Sequence, residues 1–146
     1  MKFSTTLILT VASAFAISAC ASKGYADGYG NNSKSNTTTT ATVVTKVNTD
    51  HGEVFATADG LTLYIFTKDK PGVSNCYDGC AANWPPFMAS KEAKEWSEFT
   101  KISRKDGSLQ WAYKDQPLYR WLGDQKKGDT FGQGVGNVWY VVNTPK

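Results

Sequence analysis

One pattern occurs twice in this chain, 55 residues apart and with no gap between the copies. The first copy runs Leu63, Tyr64, Phe66, Asp69, Gly79, Trp84, and the second runs Leu118, Tyr119, Trp121, Asp124, Gly134, Trp139. Five of the six positions are identical and the sixth exchanges one aromatic ring for another. A fixed-period repeat means one structural unit made twice. Only about 100 residues of globular character surround it, enough for one hydrophobic core and not for two. The two units must therefore share a core. The expected fold is mainly β: two pseudo-symmetric repeats in a small antiparallel sheet or sandwich, with one short helix.

Local signals agree with that class. Residues 61–66 alternate and carry aromatic side chains, and Asp59-Gly60 ahead of them is a hairpin turn signal. Residues 102–113 repeat the theme around Lys105-Asp106-Gly107, and Tyr113-Lys114-Asp115-Gln116 reads as a further turn into 117–121. Residues 138–142 form a clean apolar strand. Trp84-Pro85-Pro86-Phe87 must be extended, because proline removes donors and pushes its neighbour out of the α region. The helix is expected over 90–99, with Ser90 as N-cap, Lys91 to Glu95 as helix formers, and Trp96 and Phe99 packing inward. Polar, glycine-bearing loops follow each motif strand, at 67–83 and 122–137. Loops of that length carry a function or a constraint.

The start of the chain is a targeting segment. A basic Lys2 precedes an apolar run too short to span a bilayer, which ends in small residues. Ile17-Ser18-Ala19-Cys20 looks like a bacterial lipobox, in which cleavage precedes the cysteine and the thiol is acylated. Residues 1–19 are then a signal peptide, and Cys20 is the lipidated first residue. Ala21 rather than Asp follows it, which favours the outer membrane in a host with two. Residues 20–45 read as a flexible tether of glycine, asparagine, serine and threonine, with a reach of about 25–30 Å. Its 41–47 end, with Val43, Val44 and Val47, could instead add a strand. The two-repeat domain is expected over 46–146, with the repeats near 54–89 and 108–143.

Charge and cysteine content narrow the partners. The formal net charge of +3 falls by one when Lys2 leaves, and no basic face is clustered, so nucleic acid is not an expected partner. With Cys20 acylated, Cys76 and Cys80 remain. An even count in an exported domain favours a disulfide, worth about 2 kcal/mol for so small a ring. The rival reading of this C-x-x-x-C is a thiolate metal site or a redox pair. The second repeat has Phe131 and Val135 at the matching positions, so packing is expected to hold that loop.

Tyr64-Ile-Phe66-Thr-Lys-Asp69 and Tyr119-Arg-Trp121-Leu-Gly-Asp124 resemble the Y-x-(F/W)-x-x-D signature of a family of bacterial lipoproteins described as a secreted repeat of unknown function. The Cys76…Cys80…Trp84-Pro85-Pro86 block and residues 134–142 are similar to it as well. The resemblance spans about 54–142. It implies a small envelope lipoprotein with paired repeats, and no reaction.

Asp69 and Asp124 are the acids of the repeated pattern. Either each braces its own loop by accepting backbone N–H groups, or symmetry joins them in a cation site or acid–base pair. Bracing is preferred, because neither loop has the spacing of a calcium loop. Tyr64 shares a strand face with Phe66, and Tyr119 with Trp121, so these rings should pack between the repeats, or be exposed as a platform for sugar, peptide or haem. Trp111 and Tyr113 belong to the same choice. His51, the only histidine, sits beside Gly52 and reads as a turn residue. Gly132, Gly134 and Gly136 lack dinucleotide-loop spacing and should supply turns and close packing. No enzyme activity and no cofactor are expected. The function expected is a membrane-anchored cell-envelope lipoprotein that binds a small ligand or an envelope protein, held to the bilayer through Cys20. The alternative is a redox, metal or haem-handling accessory using Cys76, Cys80, Asp69, Asp124 and His51.

Overall fold

Each repeat builds the same unit: a hairpin, the motif strand, a long loop and a closing extended segment. The computed structural model describes residues 43–146. The signal segment, Cys20 and most of the tether lie outside the described residues. In the first repeat, β1 (Val44–Thr49) and β2 (Gly52–Thr57) form the hairpin and β3 (Tyr64–Phe66) carries the motif. The loop then contains α1 (Gly79–Asn83) and leads to β4 (Met88–Ala89). In the second repeat, β5 (Phe99–Ser103) and β6 (Leu109–Tyr113) form the hairpin, and β7 (Gln116–Pro117) enters the motif. A 3₁₀ turn at Val135–Asn137 precedes the closing strand β8 (Trp139–Val141). Val44 and Phe99, which open the two hairpins, are themselves 55 apart.

The halves interlock. β3 of the first repeat pairs antiparallel with β8 of the second, with Ile65 opposite Tyr140. The second motif reaches back to the first repeat through the bridge between Tyr119 and Pro86. At the centre, Tyr64 and Tyr119 exchange both backbone hydrogen bonds at 2.9 Å, as expected for residues that face each other across a pseudo-two-fold axis. The same symmetry pairs Thr67 N–H with Val138 O and Leu122 N–H with Asn83 O, at 2.8 and 3.0 Å. The prolines do not break this scheme, because Pro85 offers its carbonyl to Arg120 N–H, and Pro86 bridges Tyr119 between two such bonds, Arg120 N–H to Pro85 and Phe87 N–H to Leu118.

Strand alternation then sorts the core into two clusters. Tyr64 and Tyr119 face one way with Val54, Cys76, Trp84, Trp139 and Val141. Leu63 and Leu118, their chain neighbours, face the other with Phe55, Phe99, Trp111, Tyr113 and Val142. Both clusters draw on both repeats. Trp111 and Tyr113 are therefore core and not platform. Val43 and Val44 pack against the second cluster, so the β1 end of the tether joins the fold.

The sequence misplaces the helix. Residues 90–99 are not helical, and the α-helix among the described residues lies in the first loop at Gly79–Asn83. Ser90 Oγ does accept the Ala93 N–H, as an N-cap would. The helix then fails because β5 competes for its polar groups. Lys101 Nζ binds the carbonyls of Lys91 and Ala93, and Glu95 accepts the Lys101 N–H. Ser97 turns the chain with φ 50°, and Trp96 stacks on Phe99, 4.8 Å between centroids. A helix this short has little stability of its own to oppose such contacts. No helix among the described residues is long and apolar enough to cross a membrane.

Candidate functional site

The motif residues meet across the repeats, not within them. Tyr64 Oη donates to Asp124 Oδ2 at 2.6 Å, and Tyr119 Oη donates to Asp69 Oδ2 at 2.7 Å. Both tyrosines have no exposed surface. A buried phenol needs a partner, and each repeat finds it in the other. The second oxygen of each carboxylate is used within its own loop. Asp69 Oδ1 accepts Asn75 N–H at 2.7 Å, and Asp124 Oδ1 accepts Phe131 N–H at 3.0 Å. One carboxylate thus fixes its loop to the opposite repeat.

Burial sets the electrostatics. Desolvation pushes both carboxyls above the usual aspartate range, against the downward pull of their tyrosine and backbone donors. Desolvation likewise raises both phenols far above the usual tyrosine value, with the facing carboxylates adding to the shift. Different charges act on the two carboxylates, each of which is bonded to its own tyrosine and its own loop: Arg104 pulls Asp69 down and Asp129 pushes Asp124 up. The pair is therefore not a single shared acid–base centre.

Arg104 extends the Asp69 side into a chain. It follows β5 beside a polar turn, yet it is 6 % exposed. Its guanidinium donates to Ser74 Oγ at 2.9 Å, Gln110 Oε1 at 2.6 Å and Cys76 O at 2.9 Å, and it stacks on Tyr77 at 4.3 Å. Ser74 Oγ lies 2.8 Å from Tyr119 Oη, so donors run from Arg104 through Ser74 and Tyr119 to Asp69. Ser74, Arg104 and Gln110 were missed in the sequence. The available signal was a glutamine, Gln110, inside the apolar run of residues 109–113, six positions after a basic residue.

Between the two tyrosine–aspartate pairs stands a column of four rings. Trp84 and Trp139, equivalent residues of the two repeats, stack at 3.8 Å and 4° across the pseudo-two-fold. Phe66 stacks outside Trp139 at 4.3 Å, and Trp121 lies outside Trp84 at 4.2 Å with its ring tilted by 34°. Tyr64 and Tyr119 meet Trp84 and Trp139 edge-on, at 5.4 and 5.1 Å. Phe66 and Trp121 are half-buried ends of a core column. Gly132 permits this packing, since a Cβ there would lie 2.8 Å from both Tyr64 and Trp84. Gly134 and Gly136 turn the backbone with φ 76° and 60°.

The remaining candidates do not converge. Cys76 and Cys80 form a disulfide, S–S 2.01 Å, which closes the start of α1. His51 is exposed in the β1–β2 turn, where its carbonyl accepts Asn143 Nδ2. Among the described residues no three His, Cys, Asp or Glu side chains are grouped closely enough to hold a metal. Phe131 and Val135 do not pack their loop, contrary to expectation: they are 69 % and 37 % exposed. Polar contacts hold that loop instead. Asp129 Oδ2 accepts the N–H groups of Gln125 and Lys126, its carbonyl accepts Thr62 Oγ1, and Gln133 Oε1 accepts Val141 N–H. The loop therefore keeps its shape while Leu122, Phe131 and Val135 face water.

Comparison with known proteins agrees with this geometry. Residues 45–88 and 100–143 each match the family model for a secreted repeat of unknown function, and the matched segments are 55 residues apart. No curated protein and no solved structure matches the chain. With both repeats matched, the chain belongs to this lipoprotein family of secreted repeats of unknown function.

Proposed function

We propose that this chain is a lipid-anchored, non-catalytic binding module of the bacterial cell envelope, and that its second loop, 122–137, is the face that engages a small ligand or an envelope protein. One observation carries the reading. The motif carboxylates spend both oxygens inside the fold, whereas the loop that Asp124 fixes presents Leu122 at 59 % and Phe131 at 69 % exposure. Large apolar side chains held out by a braced loop favour a contact surface over a catalytic one. The Cys20 acyl chains would tie the module to the extracytoplasmic leaflet, with the outer membrane favoured where there are two.

The test is in-cell photo-crosslinking from position 131 of the full lipidated chain, with the adduct identified by mass spectrometry and exposed Asn48 as the control position. One defined adduct, lost in Leu122→Ser/Val135→Ser, supports the reading. Equal labelling from 48 and 131 overturns it. Fractionation of Cys20→Ser tests the anchor, and full membrane retention of that variant refutes it.

A further inference from the structure

We propose that the core is a hole relay: the contiguous Trp121, Trp84 and Trp139 accept an oxidising equivalent from a one-electron oxidant, and the Tyr64–Asp124 and Tyr119–Asp69 pairs hold it as a neutral tyrosyl radical. The proposal does not depend on any ligand of loop 122–137. Its parts are oxidisable, close and continuous. Trp121 is the half-buried entrance, tilted 34° against Trp84 with centroids 4.2 Å apart, and Trp84 stacks on Trp139 at 3.8 Å. Each buried indole has its own tyrosine at its edge, Tyr64 at 5.4 Å and Tyr119 at 5.1 Å. Phe66, at the other end, is not oxidised at potentials that oxidise indole, so the column is open on one side only.

The phenol–carboxylate pairs are the deciding feature. A phenol that loses an electron must also lose its proton, and the acceptor must already be in hydrogen-bond contact. Asp124 Oδ2 and Asp69 Oδ2 stand at 2.6 and 2.7 Å from the phenolic oxygens. Both carboxylates accept hydrogen bonds at both oxygens, as the ionised form does. A brace alone could use a neutral acceptor and avoid burying two charges.

The step balances. The oxidant takes one electron from Trp121, leaving an indole radical cation. That vacancy is filled along the stack by an electron from Tyr64, while the Tyr64 proton moves to Asp124. The products are reduced oxidant, neutral indoles, a neutral tyrosyl radical and a neutral carboxylic acid. A positive hole and a buried carboxylate thus become two uncharged groups, which suits a low-dielectric interior. Tyr119 and Asp69 perform the same step from Trp139. A one-electron reductant restores the phenol, and the proton returns from the carboxyl group.

The experiment is laser flash-quench oxidation of the complete exported chain by photogenerated tris(bipyridine)ruthenium(III), followed by transient absorption and electron paramagnetic resonance. Wild type should convert an indole radical into a tyrosyl radical, more slowly in deuterium oxide. Tyr64→Phe/Tyr119→Phe should lose the tyrosyl signal and keep the indole radical. A tyrosyl signal of wild-type size in that variant overturns the proposal, because the oxidised ring then lies elsewhere. Asp69→Asn/Asp124→Asn keeps two acceptors of similar shape and decides the matter if the phenylalanine variant does not fold. Loss of the tyrosyl signal there supports proton transfer to the carboxylates. An unchanged signal and rate overturn it.

Discussion

Tyr64→Phe and Asp124→Ala should behave as one perturbation, while Tyr64→Phe and Asp69→Ala should behave as two. The repeated motif places Tyr64 five residues before Asp69 in the sequence, but the hydrogen bond runs to Asp124 in the other repeat. Removing the Tyr64 hydroxyl deletes a hydrogen bond to a buried carboxylate, worth about 1.5–3 kcal/mol, and leaves Asp124 with the Phe131 N–H alone. In a domain of about 100 residues that lowers the melting temperature by roughly 6–24 °C, at about 4–8 °C per kcal/mol. Asp124→Ala deletes the same bond and also frees the Phe131 N–H, so it should cost at least as much. Once either partner is gone, removing the other no longer breaks the shared bond and costs only what that residue does besides, accepting the Phe131 N–H for Asp124 and the Gly132 N–H for Tyr64, which gives a coupling energy of about 1.5–3 kcal/mol. The Tyr64 and Asp69 side chains share no hydrogen-bond partner, and their effects should add within about 0.5 kcal/mol. Urea unfolding of the four proteins of each cycle, with the disulfide intact, measures both numbers. Coupling within the Tyr64–Asp69 cycle and additivity in the Tyr64–Asp124 cycle would refute the interlocked assignment.

Two further outcomes follow from the same residues. Burial raises the Asp69 and Asp124 carboxyls, so the folded state holds their protons more tightly than the unfolded chain, and their contribution falls as pH rises from the unfolded aspartate range through the folded one. The stability lost in Asp124→Asn relative to wild type should therefore shrink across that window, and a loss that grows with pH would reverse the assigned sign. At the basic end the raised Tyr64 and Tyr119 phenols remain protonated past the usual tyrosine range, so ultraviolet titration should show their ionisation only together with unfolding. Gly132→Ala should destabilise by about 1–3 kcal/mol through overpacking against Tyr64 and Trp84, and more than Gly134→Ala, whose cost is backbone strain in open space. Thermal melts rank the two variants.

The period of the repeat and the turn chemistry are local, and the sequence shows them. Lys105-Asp106-Gly107 makes the β5–β6 turn, with Asp106 accepting Ser108 N–H and Gly107 at φ 81°, and Lys114-Asp115 turns with positive φ at both residues. Which tyrosine meets which aspartate is not local. The motif is the same in both copies, so it cannot distinguish pairing within a repeat from pairing between repeats. Arg104 was illegible for a related reason: its burial is created by Ser74, Cys76 and Tyr77 from a loop some thirty residues away in the chain. The helix misread at 90–99 rested on propensity, which the bonds of Lys101 override. With Phe131 and Val135 in place of the two cysteines, the second loop reads as one held by packing, but its polar groups already hold it.

Interlocking also determines what half of the chain can do alone. A single repeat contains its hairpin, its motif strand and its closing segment, but not the partners of the last two. In the first repeat, β3 would lose β8, Tyr64 would lose both Asp124 and the backbone of Tyr119, and Trp84 would lose the faces of Trp139 and Trp121. What remains is one hairpin and one disulfide-closed loop, too little to offset the chain entropy of some forty residues. Residues 43–89 expressed alone should therefore lack near-ultraviolet circular dichroism and cooperative unfolding. Mixed with separately expressed residues 90–146, they should regain both, because every lost contact lies between the two pieces. A cooperatively folded, monomeric 43–89 fragment would mean that its hairpin and loop suffice, and that the cross-repeat bonds decorate the fold instead of making it.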